Sequence, residues 1–183
     1  MTLSCEARPG AIQLRPAGSG DEELLYTVYA STREEELAQV DWNDAQRESF
    51  LRMQFQAQSQ HYASQYPGAE FQIILVEDQP AGRLYVHRRP KEIRVMDIAL
   101  LPQFRRRGVG TTLMRQLLED GERTFRPVSI HVEVFNPARH WYERLGFRPV
   151  ADNGVYRLME WRPGQGSDTE SQTQTGSTTS QTS

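Results

Sequence analysis

Two strand-to-helix junctions, close enough in sequence to be built on neighbouring strands of one sheet, constrain this 183-residue chain more than any other feature. The first leads from the apolar run Ile93 to Leu101, through Pro102 and Arg105-Arg106-Arg107-Gly108-Val109-Gly110-Thr111, into an amphipathic stretch that ends near Phe125. As Arg-x-x-Gly-x-Gly at the mouth of a helix, it predicts backbone N–H groups turned outward at the positive end of the helix dipole, where an anion such as phosphate is favoured. Gly108 and Gly110 have no Cβ, so a pyrophosphate can approach the main chain and an unusual turn costs little. Taken alone, the same pattern occurs in many ordinary solvated turns. The second junction follows about twenty-five residues later. A strand over Val128 to Val134 leads to Asn136 as a cap, Pro137 at the first helical position, a two-turn helix carrying Tyr142, and Gly146 before Phe147.

The remaining pattern predicts an α/β (α+β) chain. Ile12 to Arg15 reads as a short strand, and Asp21 caps a helix that buries Leu24, Leu25, Val28 and Tyr29. A second helical piece covers Arg33 to Val40. A longer helix from Asp44 to about Tyr66 carries Phe50, Leu51, Phe55 and Tyr62 at core spacing until Pro67 and Gly68 stop it. Phe71 to Val76 and Ala81 to His87 read as a hairpin around Glu77 to Pro80. The chain closes on Phe147 to Asp152 and Val155 to Trp161 around Asn153-Gly154. The order β-α-α-β-β-β-α-β-α-β-β implies a mixed, mostly antiparallel central sheet of six to seven strands with helices on both faces.

Composition bounds the function classes. With 37% hydrophobic and 25% charged residues, the length suits one domain over 11–162, preceded by a flexible N-terminus over 1–10. From 163 to 183 a Ser/Thr/Gln-rich segment lacks apolar anchors and reads as a disordered tail. The net charge of −3 and a pI near 5.8 offer no broad basic face, so nucleic acid is not an expected partner. Cys5, the single cysteine, predicts no intrachain disulfide and a reducing, cytoplasmic setting. No apolar run predicts a membrane span, and either a monomer or a homodimer is compatible. His61, His87 and His140 lack metal-ligand spacing, so no metal is expected.

Together, Pro102-x-x-Arg105-x-x-Gly108-Val109-Gly110-x-x-Leu113 and Asn136-Pro137-Ala138 to Tyr142-x-x-x-Gly146-Phe147 resemble the GNAT superfamily of acyl-CoA-dependent N-acyltransferases. The likeness is clearest over Ile93 to Phe147 and extends by element order over roughly residues 11 to 162. It implies direct transfer of an acetyl group from acetyl-CoA to the primary amine of a small molecule, peptide or protein. The cofactor-binding set it implies starts with the main chain of Ile98, Ala99 and Leu100, which would pair with the pantetheine arm. The turn Arg105, Arg106, Arg107, Gly108, Val109, Gly110 and Thr111 would receive the pyrophosphate. Asn136 matches a residue that contacts the cofactor arm or an ordered water, with helix capping as its competing role.

Tyr142 matches the phenol that protonates the leaving sulfur and also lies along the cofactor arm. The general base is left open among His131, where some members of the superfamily carry a glutamate, Glu133 two residues on, and Asp97 on the preceding strand. The acceptor would be framed by Tyr26 to Trp42 and the last hairpin, with Glu34, Glu35, Glu36 and Asp41 able to attract a cation or simply to solvate a helix. A CoA-binding sensor or scaffold without turnover is the alternative from another class. DNA binding through the three arginines is a further one, and near-neutral charge weighs against it.

Overall fold

A computed structural model describes residues 11 to 164. Cys5, the flexible N-terminus expected over 1–10 and most of the tail expected over 163–183 lie outside these residues. Seven strands form one mixed sheet: β1 (Ile12–Pro16), β2 (Glu70–Val76), β3 (Gln79–Arg88), β4 (Ile93–Leu100), β5 (Val128–Glu133), β6 (Arg148–Asn153) and β7 (Tyr156–Trp161). Their spatial order is β1-β2-β3-β4-β5-β7-β6, and among the described residues β4–β5 is the one parallel pair. The helices are α1 (Glu22–Ser31), α2 (Glu34–Leu37), α3 (Asp44–Gln65), α4 (Val109–Thr124) and α5 (Arg139–Arg144). The strands and the later helices follow the predicted order, but three helices and not two stand between β1 and β2, because the helical piece expected over Arg33 to Val40 forms a separate short helix, α2. Among the described residues no helix is long and apolar enough to cross a membrane.

The main core forms where α4 lies on the sheet. Val109, Leu113, Met114 and Leu117 repeat at helical spacing and bury against Ile93 and Val95 of β4, Val128, Ile130 and Val132 of β5, and Phe147 and Met159. Each such side chain contributes about 1.5 to 3 kcal/mol when it leaves water. Val28 joins this core from α1, whereas Tyr26 and Tyr29 turn to Phe55 of α3, with ring centroids 5.8 Å apart. Of the core expected on α3, only Phe55 is fully buried. Phe50, Leu51 and Tyr62 are half-buried, because the helix is rich in glutamine and has little apolar surface to offer its neighbours.

Local details depart from the sequence reading in three places. Asp21 stands at the head of α1 but does not cap it. Its carboxylate accepts two hydrogen bonds from Arg15 and one from the Gly18 N–H, and the Arg15 bonds above all hold it down at about 2. The helix that does have a side-chain cap is α3, where Asn43 accepts from Gln46 N–H while the Gln46 side chain accepts from Asn43 N–H. The β2–β3 connection is a two-residue turn with Glu77 and Asp78 both at positive φ, 52° and 61°, so Gln79 and Pro80 belong to β3. In the last hairpin Asn153 pairs with Tyr156, which shifts the turn one residue on, to Gly154 and Val155.

Gly82 marks the tightest approach in the sheet. A Cβ there would sit 2.1 Å from the Ala99 carbonyl oxygen and 3.0 Å from Leu100 Cα, both main-chain atoms of β4. Gly82→Ala should therefore destabilise the protein by about 3 kcal/mol in urea unfolding. Gly154→Ala, at φ 66° in open space, should cost about 1 kcal/mol. Equal losses would show that β3 and β4 do not approach this closely.

Candidate active site

The site begins where β4 and β5 part. Their parallel pairing covers Ile93 with Val128, Arg94 with Ser129 and Val95 with Ile130, and goes no further. On its other side β4 stays paired to β3, but Val95 pairs with Val86 and Asp97 with Tyr85, leaving Met96 as the extra residue of a bulge. A bulge bends its strand and increases the local twist, which carries the end of β4 away from β5. Leu101 N–H donates to the Ala81 carbonyl on β3, so by alternation Ile98 and Leu100 turn their peptide groups into the gap. Ala99, directly opposite Arg83, spends its peptide groups on β3. The main-chain partners expected at Ile98, Ala99 and Leu100 thus divide. Ile98 is open at both N–H and C=O, and Leu100 keeps its N–H.

The Leu100 carbonyl is already taken by Arg105, whose Nε donates to it at 2.8 Å. A second nitrogen of Arg105 donates to the carbonyl and hydroxyl of Ser31, at the end of α1. Arg105 is thus a brace between β4 and α1. Among the described residues Arg106 and Arg107 form no ion pair, and both are exposed next to the turn. Gly108 stands at φ 76°, the left-handed region that glycine alone adopts without penalty, and places Val109, Gly110 and Thr111 in the first turn of α4. Their N–H groups have no intrahelical acceptor, since Thr112 N–H to the Gly108 carbonyl is the first bond of that turn. A Cβ at Gly110 would make ordinary contact with Trp141 at 3.6 Å, so this glycine serves clearance and not strain. Such a cradle fits a pyrophosphate.

Trp141 and Tyr142 bring α5 to the same gap. Trp141 Nε1 donates to Thr111 Oγ1 at 3.1 Å and fixes α5 to the first turn of α4. Tyr142 is 5% exposed, packed between Trp141 and Phe147, and its hydroxyl takes no hydrogen bond from the described residues. Burial first, and the charge of Asp97 second, push its phenol well above the ordinary range, so it stays protonated. Asn136 lies before α5 and not at its cap. Its Oδ1 accepts from Ala138 N–H at 2.9 Å, while Ala138 itself is the capping residue and Pro137 precedes the helix. A short Asx-turn here sets the entry of α5 and leaves the Asn136 amide exposed.

The three candidate bases have different surroundings. His131 lies one residue beyond the last β4–β5 pair, with its Nδ1 3.0 Å from Arg94 Nη1. Arginine only donates, so Nδ1 accepts, the ring proton sits on Nε2, and no lone pair remains free to take a proton. Arg94 itself is held by Ser129 and Glu92. Glu133 lies near Arg33, which follows α1, at 3.6 Å. Asp97, beside the bulge, meets the buried Arg83 through Oδ2 at 2.5 Å. Its Oδ1 has no partner among the described residues.

Sequence reasoning missed Arg83, Arg94, Trp141 and Ser31. Arg83 was detectable: a lone cation inside the apolar run Ala81 to Val86, two residues across from a lone Asp in the next strand. Of the acidic run, Glu36 binds Arg33, and Glu34, Glu35 and Asp41 are exposed. A cavity of about 200 Å³ beside them is lined by Tyr29, Arg33, Glu36, Leu37, Phe50 and Gln54. Among the described residues no group of three or more His, Cys, Asp or Glu is placed to hold a metal.

Desolvation, and then the charge of Arg94, lower the proton affinity of His131 in the folded protein. As pH falls through about 6.5 the unfolded chain gains a proton here that the folded chain does not, so stability must drop toward pH 5. Replacing the ring by His131→Gln should flatten that part of the unfolding free energy between pH 7 and 5, measured in urea. An unchanged slope would contradict the neutral ring.

The sequence model of the acetyltransferase (GNAT) family matches residues 30–147. A candidate ribosomal protein bS18-alanine N-acetyltransferase of Bacillus subtilis (strain 168) is 28% identical over 110 residues, 55% of this chain and 73% of that one. Among solved structures, the fold is similar to that of the PaiA N-acetyltransferase of Thermoplasma acidophilum in complex with coenzyme A. The TM-score is 0.64 at 16% identity, covering 83% of this chain and 99% of that one. An acetyltransferase of Thermus thermophilus gives a TM-score of 0.61 at 19% identity over 85% and 99% of the two chains. Ard1 of Thermoplasma volcanium gives 0.55 at 20% over 84% and 98%. With both junctions, the parted strands and Tyr142 inside the matched segment, the chain belongs to the GNAT family of acetyltransferases.

Proposed function

We propose that this acetyltransferase works by direct transfer, with Tyr142 as general acid, Asp97 as general base through water, and an N-terminal α-amine as acceptor. The observation that carries the reading is the placement of Asp97 and Tyr142. One is a carboxylate with a free oxygen, the other a protonated phenol with a free hydroxyl, and the charge of the first acts on the second. The cosubstrate supplies an acetyl thioester. Arg106, Arg107 and the N–H groups of Val109, Gly110 and Thr111 bind its pyrophosphate, and Ile98 and the Leu100 N–H line its arm. As the amine attacks, Asp97 receives the proton it sheds and Tyr142 gives one to the leaving sulfur. A main-chain N–H on the open edge of β4, that of Leu100, meets the charge growing on the carbonyl oxygen, a contact worth about 2.7 to 4 kcal/mol.

The acceptor class follows from charge. The two carboxylates on the strands that border the gap each lie beside an arginine, Asp97 by Arg83 and Glu133 by Arg33, so neither offers an unpaired negative charge to an ammonium ion. An α-amine, with a pKa of about 7.7 to 8.0, is neutral far more often at pH 7.5 than a lysine near 10.4. The name of the Bacillus relative, with its alanine acceptor, agrees.

Free-thiol release from acetyl-CoA tests both parts. Tyr142→Phe and Asp97→Asn should each lower kcat by about 10²- to 10⁴-fold with little change in CoA binding. Peptides beginning with alanine should exceed blocked lysine peptides and polyamines by about 10²-fold in kcat/KM. A preference for lysine or polyamine would overturn the acceptor assignment, and tight CoA binding with no turnover on any amine would favour a sensor.

A further inference from the structure

We propose that Arg83 is a positioning residue of the transfer reaction, fixing the Asp97 carboxylate so that one oxygen is pinned within the sheet and the other faces the gap. This rests on the reading of Asp97 as the base. Arg83 lies on β3 opposite Ala99, and its side chain runs diagonally to Asp97, two residues along β4. Its Nη2 donates to Asp97 Oδ2 at 2.5 Å and to Gln58 Oε1 of α3 at 3.0 Å. The guanidinium is 5.2 Å from the Tyr85 ring centre and 5.8 Å from that of Tyr29. Three elements therefore hold one cation whose side chain is 3% exposed.

A structural role alone explains this poorly. Burying an ion pair is costly, and an apolar pair of similar volume commonly stabilises a core as well or better. Here the cost is higher still, because Arg83 Nε is buried with no hydrogen-bond partner. What the arrangement achieves is directional. With Oδ2 occupied, Asp97 cannot rotate freely, and Oδ1, which no described residue engages, is left at the edge of the gap. Around the carboxylate stand Tyr85 of β3, Tyr62 of α3 and Tyr142 of α5, all phenols that burial keeps neutral. Arg83 is the one cation that contacts Asp97 among the described residues. In the reaction the amine proton goes to Asp97 by way of water, the Tyr142 proton goes to sulfur, and Arg83 keeps its own.

The experiment uses the full chain with acetyl-CoA and the best acceptor of the amine panel, comparing Arg83→Met, Arg83→Lys, Asp97→Asn and the double variant Arg83→Met/Asp97→Asn. Arg83→Met should lower kcat on the order of 10- to 100-fold and leave the Kd for CoA unchanged. Arg83→Lys should recover part of kcat, because it restores a cation beside Asp97 Oδ2. The double variant should be no slower than Asp97→Asn alone, because the arginine acts only through the carboxylate. If Arg83→Met lowers Tm while kcat stays in place, or if the two losses multiply in the double variant, the positioning role is wrong. Should Arg83→Met not fold, Arg83→Lys, alone and combined with Asp97→Asn, decides by the same comparison. A wild-type kcat in Asp97→Asn would instead overturn the base assignment, whatever Arg83 does.

Discussion

The parting of β4 from β5 after Val95 and Ile130 is the constraint on which the site depends. Up to that pair both strands are fixed by the apolar stripe of α4. Beyond it the two can no longer satisfy one another, and the peptide groups of Ile98 and Leu100 are left facing open space. Such groups are costly to leave unmet. The protein meets one of them itself, by placing Arg105 on the Leu100 carbonyl, and the proposed cosubstrate arm would meet the rest. The bulge at Met96 is the physical origin of the divergence. The same bulge puts Asp97 on the side of β4 that faces Tyr85, so one irregularity in one strand opens the gap and equips it.

Arginine holds this opening together. Arg105 ties the end of β4 to the end of α1, Arg33 approaches Glu133 on β5, Arg94 joins Glu92, Ser129 and His131, and Arg83 joins β3, β4 and α3 through Asp97 and Gln58. A planar guanidinium with donors on three nitrogens can bridge several acceptors at once, which a lysine does less well. The half-exposed pairs contribute little free energy each. Their effect is geometric, holding elements that share few apolar contacts.

The sequence displayed the fold through its punctuation and periodicity. Gly108 as the start of α4 was legible because only a glycine suits that turn, and the α4 stripe because its spacing is helical over four turns. Turn registers were read one or two residues off, since Glu77 and Asp78 adopt positive φ without a glycine to announce it and Gly154 leads its turn instead of following. Asn136 was legible as a residue that binds the backbone ahead of α5, but the donor it meets is Ala138 N–H within the loop and not a capped helix. The pairing of Arg83 with Asp97 needs the β3–β4 register, and that register contains a bulge that hydropathy alternation does not reveal.

The same register accounts for the proposed division of labour between His131 and Asp97. A histidine in place of the glutamate that some relatives carry keeps the shape of a proton acceptor, yet Arg94 fills its one lone pair and its remaining nitrogen can only donate. To restore it as a base, Arg94 would have to leave Ser129 and Glu92 as well, breaking a network that ties the paired ends of β4 and β5 together. Proton acceptance is then available one strand away, at a carboxylate beyond the point where the strands separate. Asp97 on β4 and His131 on β5 stand on the two strands that bound the gap, so the proposed exchange moves the base from one edge to the other without altering the opening.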